Sequence, residues 1–289
     1  MAKKPQSLTP TFTPAFCEAE YNNSLRVADF LDVQARWPVD AALSRRTQSG
    51  QFNLHYGDNA AETLDFFPSR RPGAPLFVFI HGGYWRALNK SDFSWIAPAL
   101  VAQGAAVAIV DYGLAPANPI EDIVRQMLRA HAWLYRNADK LEFNRDHIVT
   151  GGHSAGGHLT AMMMAARWQQ WAPDLPSNLI KGGLGISGLY DLEPLAMTPF
   201  LSILGLTPER VALLSPAYFN SESTTPLITA VGGDESSEFK RQSALIAARW
   251  PKNFVRNVPL PGRTHMSVCD GFAEPGSPLL QAAQELLKL

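Results

Sequence analysis

The sequence predicts an α/β fold: a mostly parallel eight-stranded sheet with helices on both faces and a small helical cap. Three observations carry this. From about residue 50 onward, short β-rich runs alternate with amphipathic helical stretches, the pattern of units in which a helix returns the chain for the next parallel strand. Several runs, such as "PLFVFI", are apolar without interruption, as strands buried on both faces are. Hydrophobic residues make up 46% of the 289, enough for a substantial core.

The elements run in order. "QFNLHY" and "ETLDFF" read as paired entry strands, and "PLFVFIHGG" as a central strand. "SDFSWIAPALVAQG" reads as a helix capped by Ser91 and stopped by Gly104. "AAVAIVDY" is the next strand, and the helix after it places Ile123, Met127, Ala130 and Leu134 on one face. "HIVTGGHS" is a strand running into a glycine-rich turn, and a helix over 155–171 comes next. The strand "IKGGLGISGLYDL", the strand "PLITAVGG", a helix over 238–250, the strand "NFVRNVPLPG" and a closing helix from Pro278 complete the series. Residues 1–49 read as irregular chain and short helices, and residues 192–225 as a helical insertion. Both are expected to cap the C-terminal edge of the sheet, where open α/β folds bind ligands, within one domain spanning 1–289.

Composition narrows the function. A net charge of −1 leaves no electrostatic footprint for nucleic acid or a membrane surface. Cys17 and Cys269 fall short of a disulfide framework and read as thiols of a reducing compartment. With no signal-like start and no long apolar run, the expected location is cytoplasmic.

The chemistry gathers around "GGHSAGG". Gly152-His153-Ser154-Ala155-Gly156 is a G-x-S-x-G between an apolar strand and a helix, the context of a nucleophile elbow. A glycine-rich turn with a buried serine cap is the plainer alternative; the strand–turn–helix context favours Ser154 as nucleophile. His153 and His158 lack further ligands nearby, so packing roles are expected and no metal. Acyl transfer needs donors for the developing oxyanion. The N–H of Ala155 is one, and the loop "HGGYW" supplies those of Gly83 and Tyr84, where glycines allow close backbone approach. His81, Gly82 and Trp85 of that loop are expected in the substrate pocket, His81 chiefly as an anchor, while Tyr84 and Trp85 fit the pocket wall and the core equally well.

The order serine, acid, histidine along the chain points to His265, the only histidine beyond residue 158, as general base. His55, His131 and His147 precede the elbow and are assigned structural or surface places. The acid belongs in the loop after "PLITAVGG". Counting glycine-x-x-acid from Gly232 gives Glu235, with Asp234 as second choice and Glu238 placed in the next helix's first turn.

Together, "HGGYW", "GGHSAGGHL", "SGLYDLEPL", "VGGDESSEFKRQS" and "HMS" resemble the kynurenine formamidase (arylformamidase) branch of the α/β-hydrolases. "YNNSLRVADF" and "DIVRQM" extend the resemblance over nearly the whole chain. The resemblance implies the α/β-hydrolase fold and cleavage of an N-formyl aryl amide such as N-formylkynurenine, without a cofactor. It also puts Glu235 in the place of the family's acid, ahead of "SSEFKRQS". "DYGLAP" departs toward the hormone-sensitive-lipase-like esterases, so a short-chain carboxylesterase stands as the alternative, and a non-catalytic binding protein of the same fold as a second. The expected partner is a small-molecule substrate, with neither nucleic acid nor membrane, and a homodimer is left open.

Overall fold

The computed structural model describes residues 12–219 and 223–289. The first eleven residues of the N-terminal cap segment and residues 220–222 of the insertion therefore lie outside the described residues. The chain opens with α1 (Pro14–Tyr21), α2 (Asn23–Arg26) and α3 (Phe30–Thr47), and enters the sheet through β1 (Gln51–His55) and β2 (Thr63–Phe67). Then come β3 (Ala74–Ile80), α4 (Ala97–Ala102), β4 (Ala106–Val110), α5 (Ile120–Arg136), α6 (Ala138–Leu141) and β5 (Phe143–His153). The second half runs α7 (Ala155–Ala165), α8 (Trp168–Trp171), β6 (Ile180–Ile186), α9 (Glu193–Ala196), α10 (Pro208–Leu214) and β7 (Leu227–Gly232). It closes with α11 (Ser237–Arg249), β8 (Phe254–Leu260) and α12 (Pro278–Leu287).

The eight strands form one sheet in the order β1-β2-β4-β3-β5-β6-β7-β8. β2 pairs antiparallel with both β1 and β4, and every pairing from β4 to β8 is parallel. Period-two alternation explains how a fully apolar strand serves two faces. Along β3, Leu76, Val78 and Ile80 enter one apolar cluster, while Phe77 and Phe79 enter the cluster on the opposite face. The expected stripe of α5, Ile123, Met127, Ala130 and Leu134, is buried against the first of these. No helix among the described residues is long and apolar enough to cross a membrane.

Four stretches differ from the sequence-based expectation. The helix expected over 91–104 is two 3-10 turns (90–92 and 94–96) leading into α4, which starts where Pro98 fits a first helical turn. The helix over 155–171 breaks at Ala166, whose extended backbone carries Trp168 into the core beside His131. β6 ends at Ile186 because Ser187 adopts φ +48, a conformation no strand continues. Within 1–49, α3 runs 18 residues straight through Pro38. The proline costs the helix one backbone hydrogen bond, against which Trp37 and Ala41 bury almost completely, Trp37 packing on Phe93.

Candidate active site

The parallel strands run toward one edge of the sheet, and the loops beyond that edge assemble the site. After β5 the chain turns through Ser154 at φ +58, ψ −117, a strained conformation that a surrounding structure must hold. The surroundings are main chain: a Cβ on Gly152 would lie 2.3 Å from the Gly156 carbonyl oxygen, and one on Gly156 only 1.9 Å from that of Ile80. Both glycines are thus required by close backbone approach. Ser154 donates its N–H to the carbonyl of Ile186, at the end of β6, over 2.8 Å. It is 2% exposed, and although it occupies the N-cap position of α7 its hydroxyl makes no capping bond, which leaves Oγ available.

Glu235 and His265 follow β7 and β8 respectively. Glu235 Oε2 lies 2.7 Å from His265 Nδ1. Its Oε1 accepts from the Gly232 N–H at 2.7 Å and from the Ser187 hydroxyl at 2.5 Å. Glu235 is 5% exposed, and a buried carboxylate needs this many donors. With Nδ1–H donating to the carboxylate, His265 Nε2 carries the lone pair. Phe239 packs on one side of the imidazole at 4.1 Å between ring centres, and His153 on another at 4.6 Å. Asp234, one residue earlier, is exposed, its N–H donating to the Arg263 carbonyl. Glu238 lies in the first turn of α11, paired with Arg241 and accepting from the Tyr21 hydroxyl.

The loop after β3 carries the donor candidates Gly83 and Tyr84. Gly83 has φ +96, and a Cβ there would lie 2.1 Å from the Ala87 carbonyl oxygen. That loop is wound tightly: Tyr84 and Trp85 also take positive φ, and the Gly83 carbonyl accepts from Arg86 and Ala87. Among the described residues, nothing accepts from the N–H groups of Gly83, Tyr84 or Ala155. The last is the first N–H of α7, where a helix presents unsatisfied donors.

Ser154 and His265 share a cavity of about 460 Å³ with Gly83, Tyr84, Arg86 and His153. Its walls are Phe30, Trp37 and Phe200, with Asn22, Asn23 and Gln34 from the N-terminal helices. A larger groove of about 1310 Å³ lies beside α3 and α4 and holds none of these catalytic candidates. Three residues expected in the pocket do not line it. His81 is fully buried, stacked 4.2 Å from Tyr112, with Nδ1 at 2.8 Å from the Gly82 carbonyl and Nε2 at 3.2 Å from Asp111. It anchors the loop. Trp85 turns into the core, edge-on to His158 at 4.9 Å, because its positive φ reverses the chain there. Gly82 sits behind the serine, where a Cβ would press on Ser154 Cβ at 3.0 Å.

Burial holds three histidines neutral. His131 and His158 are pushed down to about 4, and His153 well below its ordinary range, by burial first and then by the neighbouring His265. Residues of the expected N-terminal cap line the cavity, but nothing in the pattern of 1–49 singles out Trp37 as one of its walls, and Ser187 carries no signal because "ISGLYDL" reads as continuous strand. The "SSEFKRQS" stretch is a tie. Gln242 accepts from the N–H groups of Tyr190 and Asp191 and donates to Tyr21 Oη, and Tyr84 Oη donates to the Tyr21 carbonyl at 2.6 Å.

A family model named BD-FAE matches residues 64–181. The chain is 34% identical to a kynurenine formamidase of Danio rerio and 33% to one of Salmo salar, each match covering 66% of this chain and 65% of the relative. This chain thus spans just under two thirds of the length of those relatives. It is also 32% identical to Esterase LipC of Mycobacterium tuberculosis over 54% of this chain and 41% of that one. Among solved structures, a thioesterase candidate from Silicibacter sp. superposes with TM-score 0.81 at 29% identity, covering 90% of this chain and 96% of that one. Strand order, elbow and sequence likeness converge: the chain has the α/β-hydrolase fold and is similar to the kynurenine formamidases and to esterases.

Proposed function

We propose that the protein is a serine hydrolase that cleaves an N-formyl aryl amide such as N-formylkynurenine through an acyl-enzyme. The observation that carries it is the hydrogen bond between the buried Glu235 and His265, which lines the same cavity as Ser154. Ser154 Oγ attacks the formyl carbonyl while His265 Nε2 takes its proton. Glu235 holds the ring in that tautomer and stabilises the imidazolium without taking the proton. The N–H groups of Gly83, Tyr84 and Ala155 receive the oxyanion. His265 then returns the proton to the departing aniline nitrogen. Water, activated by the same imidazole, releases formate and restores the serine. A formyl group needs almost no acyl pocket, whereas an aryl leaving group needs apolar walls, which Phe30, Trp37, Tyr84 and Phe200 offer.

A short-chain carboxylesterase using the same residues is the second reading, favoured by "DYGLAP" and by the likeness to Esterase LipC. Hydrolysis of N-formylkynurenine beside p-nitrophenyl acetate separates them, with Ser154→Ala as blank. The formamidase reading expects the higher kcat/KM on the amide. Cleavage of the ester alone would sink that substrate while keeping the serine chemistry.

A further inference from the structure

We propose that Arg86 recognises a carboxylate on the leaving-group side of the substrate, so that the pocket selects aryl amides that carry a carboxylate there over those that lack it. This rests on the hydrolase reading above and names the substrate class of the same cavity. Among the described residues lining that cavity, Arg86 is the only fixed charge, and no carboxylate lines it. Several arginines outside the cavity are engaged by carboxylates: Arg241 by Asp191 and Glu238, Arg210 by Glu121, Arg36 by Asp270, Arg263 by Glu274. No described carboxylate forms an ion pair with Arg86.

Its position is built rather than loose. The Arg86 N–H donates to the Gly83 carbonyl at 3.0 Å, closing the turn that also carries Tyr84. Its guanidinium carbon lies 5.5 Å from the centre of the Phe200 ring, and that ring meets Tyr84 edge-on at 5.5 Å. A guanidinium resting on an aromatic face is oriented by the ring's quadrupole yet keeps its N–H fork free in its own plane. That fork matches a carboxylate bidentately. The cation therefore stands on the aromatic wall expected to receive the aryl group. A formyl group has no carbon beyond its carbonyl to bear a charge, so the anion must belong to the amine that departs.

The test is a matched pair of substrates, N-formylkynurenine and N-formylkynuramine, which differ only by the carboxylate. Wild type should prefer the carboxylate by about tenfold or more in kcat/KM, a size suited to a partly hydrated charge pair. Arg86→Gln should abolish the preference through a raised KM for N-formylkynurenine, and Arg86→Glu should invert it. No preference in wild type, or a preference that survives Arg86→Gln, overturns the assignment. If wild type cleaves phenyl acetate but neither amide, the formamidase reading fails separately. The same comparison then runs on 4-acetoxybenzoate against phenyl acetate: an anion preference lost in Arg86→Gln supports Arg86 as the reader, and its absence or persistence overturns it.

Discussion

Glu235 and Asp234 are neighbours in sequence and opposites in environment. Glu235 is buried and accepts from Gly232, Ser187 and His265, while Asp234 faces solvent. Glu235→Gln keeps the size but can present an amide N–H to His265 Nδ1, forcing the proton onto Nε2, where it cannot accept from the serine. A fall in kcat of about 10³–10⁴ is expected, by analogy with the loss measured when a triad acid becomes its amide. Asp234→Asn should stay within about twofold, as exposed positions away from a site do. Steady-state kinetics of the two variants reads this directly; a large loss in Asp234→Asn with a mild one in Glu235→Gln would transfer the acid's role. The glycine count places Glu235 in the loop, but its second donor, Ser187, stays hidden because a φ of +48 in a non-glycine residue leaves no mark on the sequence.

At the scale of elements, legibility tracks burial. Central strands such as β3 and the amphipathic α5 declare themselves through apolar runs and 3.6-residue spacing. α3 does not: within a stretch that reads as irregular chain and short helices, tertiary burial of Trp37 and Ala41 carries one long helix past Pro38. The two 3-10 turns before α4 are equally invisible, since a serine cap and a glycine stop bound a helix without specifying its first turns. The elbow is the opposite case, because its glycines are demanded by backbone contact. Gly156→Ala would set a methyl group against the carbonyls of Ile80 and His81. It should cost about 2–4 kcal/mol of stability through overpacking against main chain, measured by urea unfolding. An unchanged unfolding free energy would mean that β3 and α7 have slack that the contact distances do not show.

For the molecule as a whole, buried histidines set the response to acid. His131, His153 and His158 are held neutral in the folded chain below their ordinary value of 6.5. Below that value the unfolded chain takes up protons that the folded chain refuses. The stability they contribute is therefore fully present above pH 6.5 and is lost as pH falls toward about 4 for His131 and His158. Each ring can contribute a slope of up to about 1.4 kcal/mol per pH unit in that window. Urea midpoints at pH 7 and about pH 5.5 should differ, with the protein weaker at the lower pH, before most carboxyls titrate. Equal midpoints would show that these rings protonate without unfolding.

The turn that carries Ser154 is fixed by main chain pressing on main chain, Gly152 on Gly156 and Gly156 on the end of β3. The pocket walls come from elsewhere: Phe30 and Trp37 from α3, Phe200 from the insertion, Arg86 from the loop after β3. The position of Ser154 and the make-up of the pocket walls are thus mechanically separate. Side chains at the walls can be exchanged to admit a new leaving group while the attacking oxygen keeps its place, which makes the scaffold a natural starting point for directed changes of substrate.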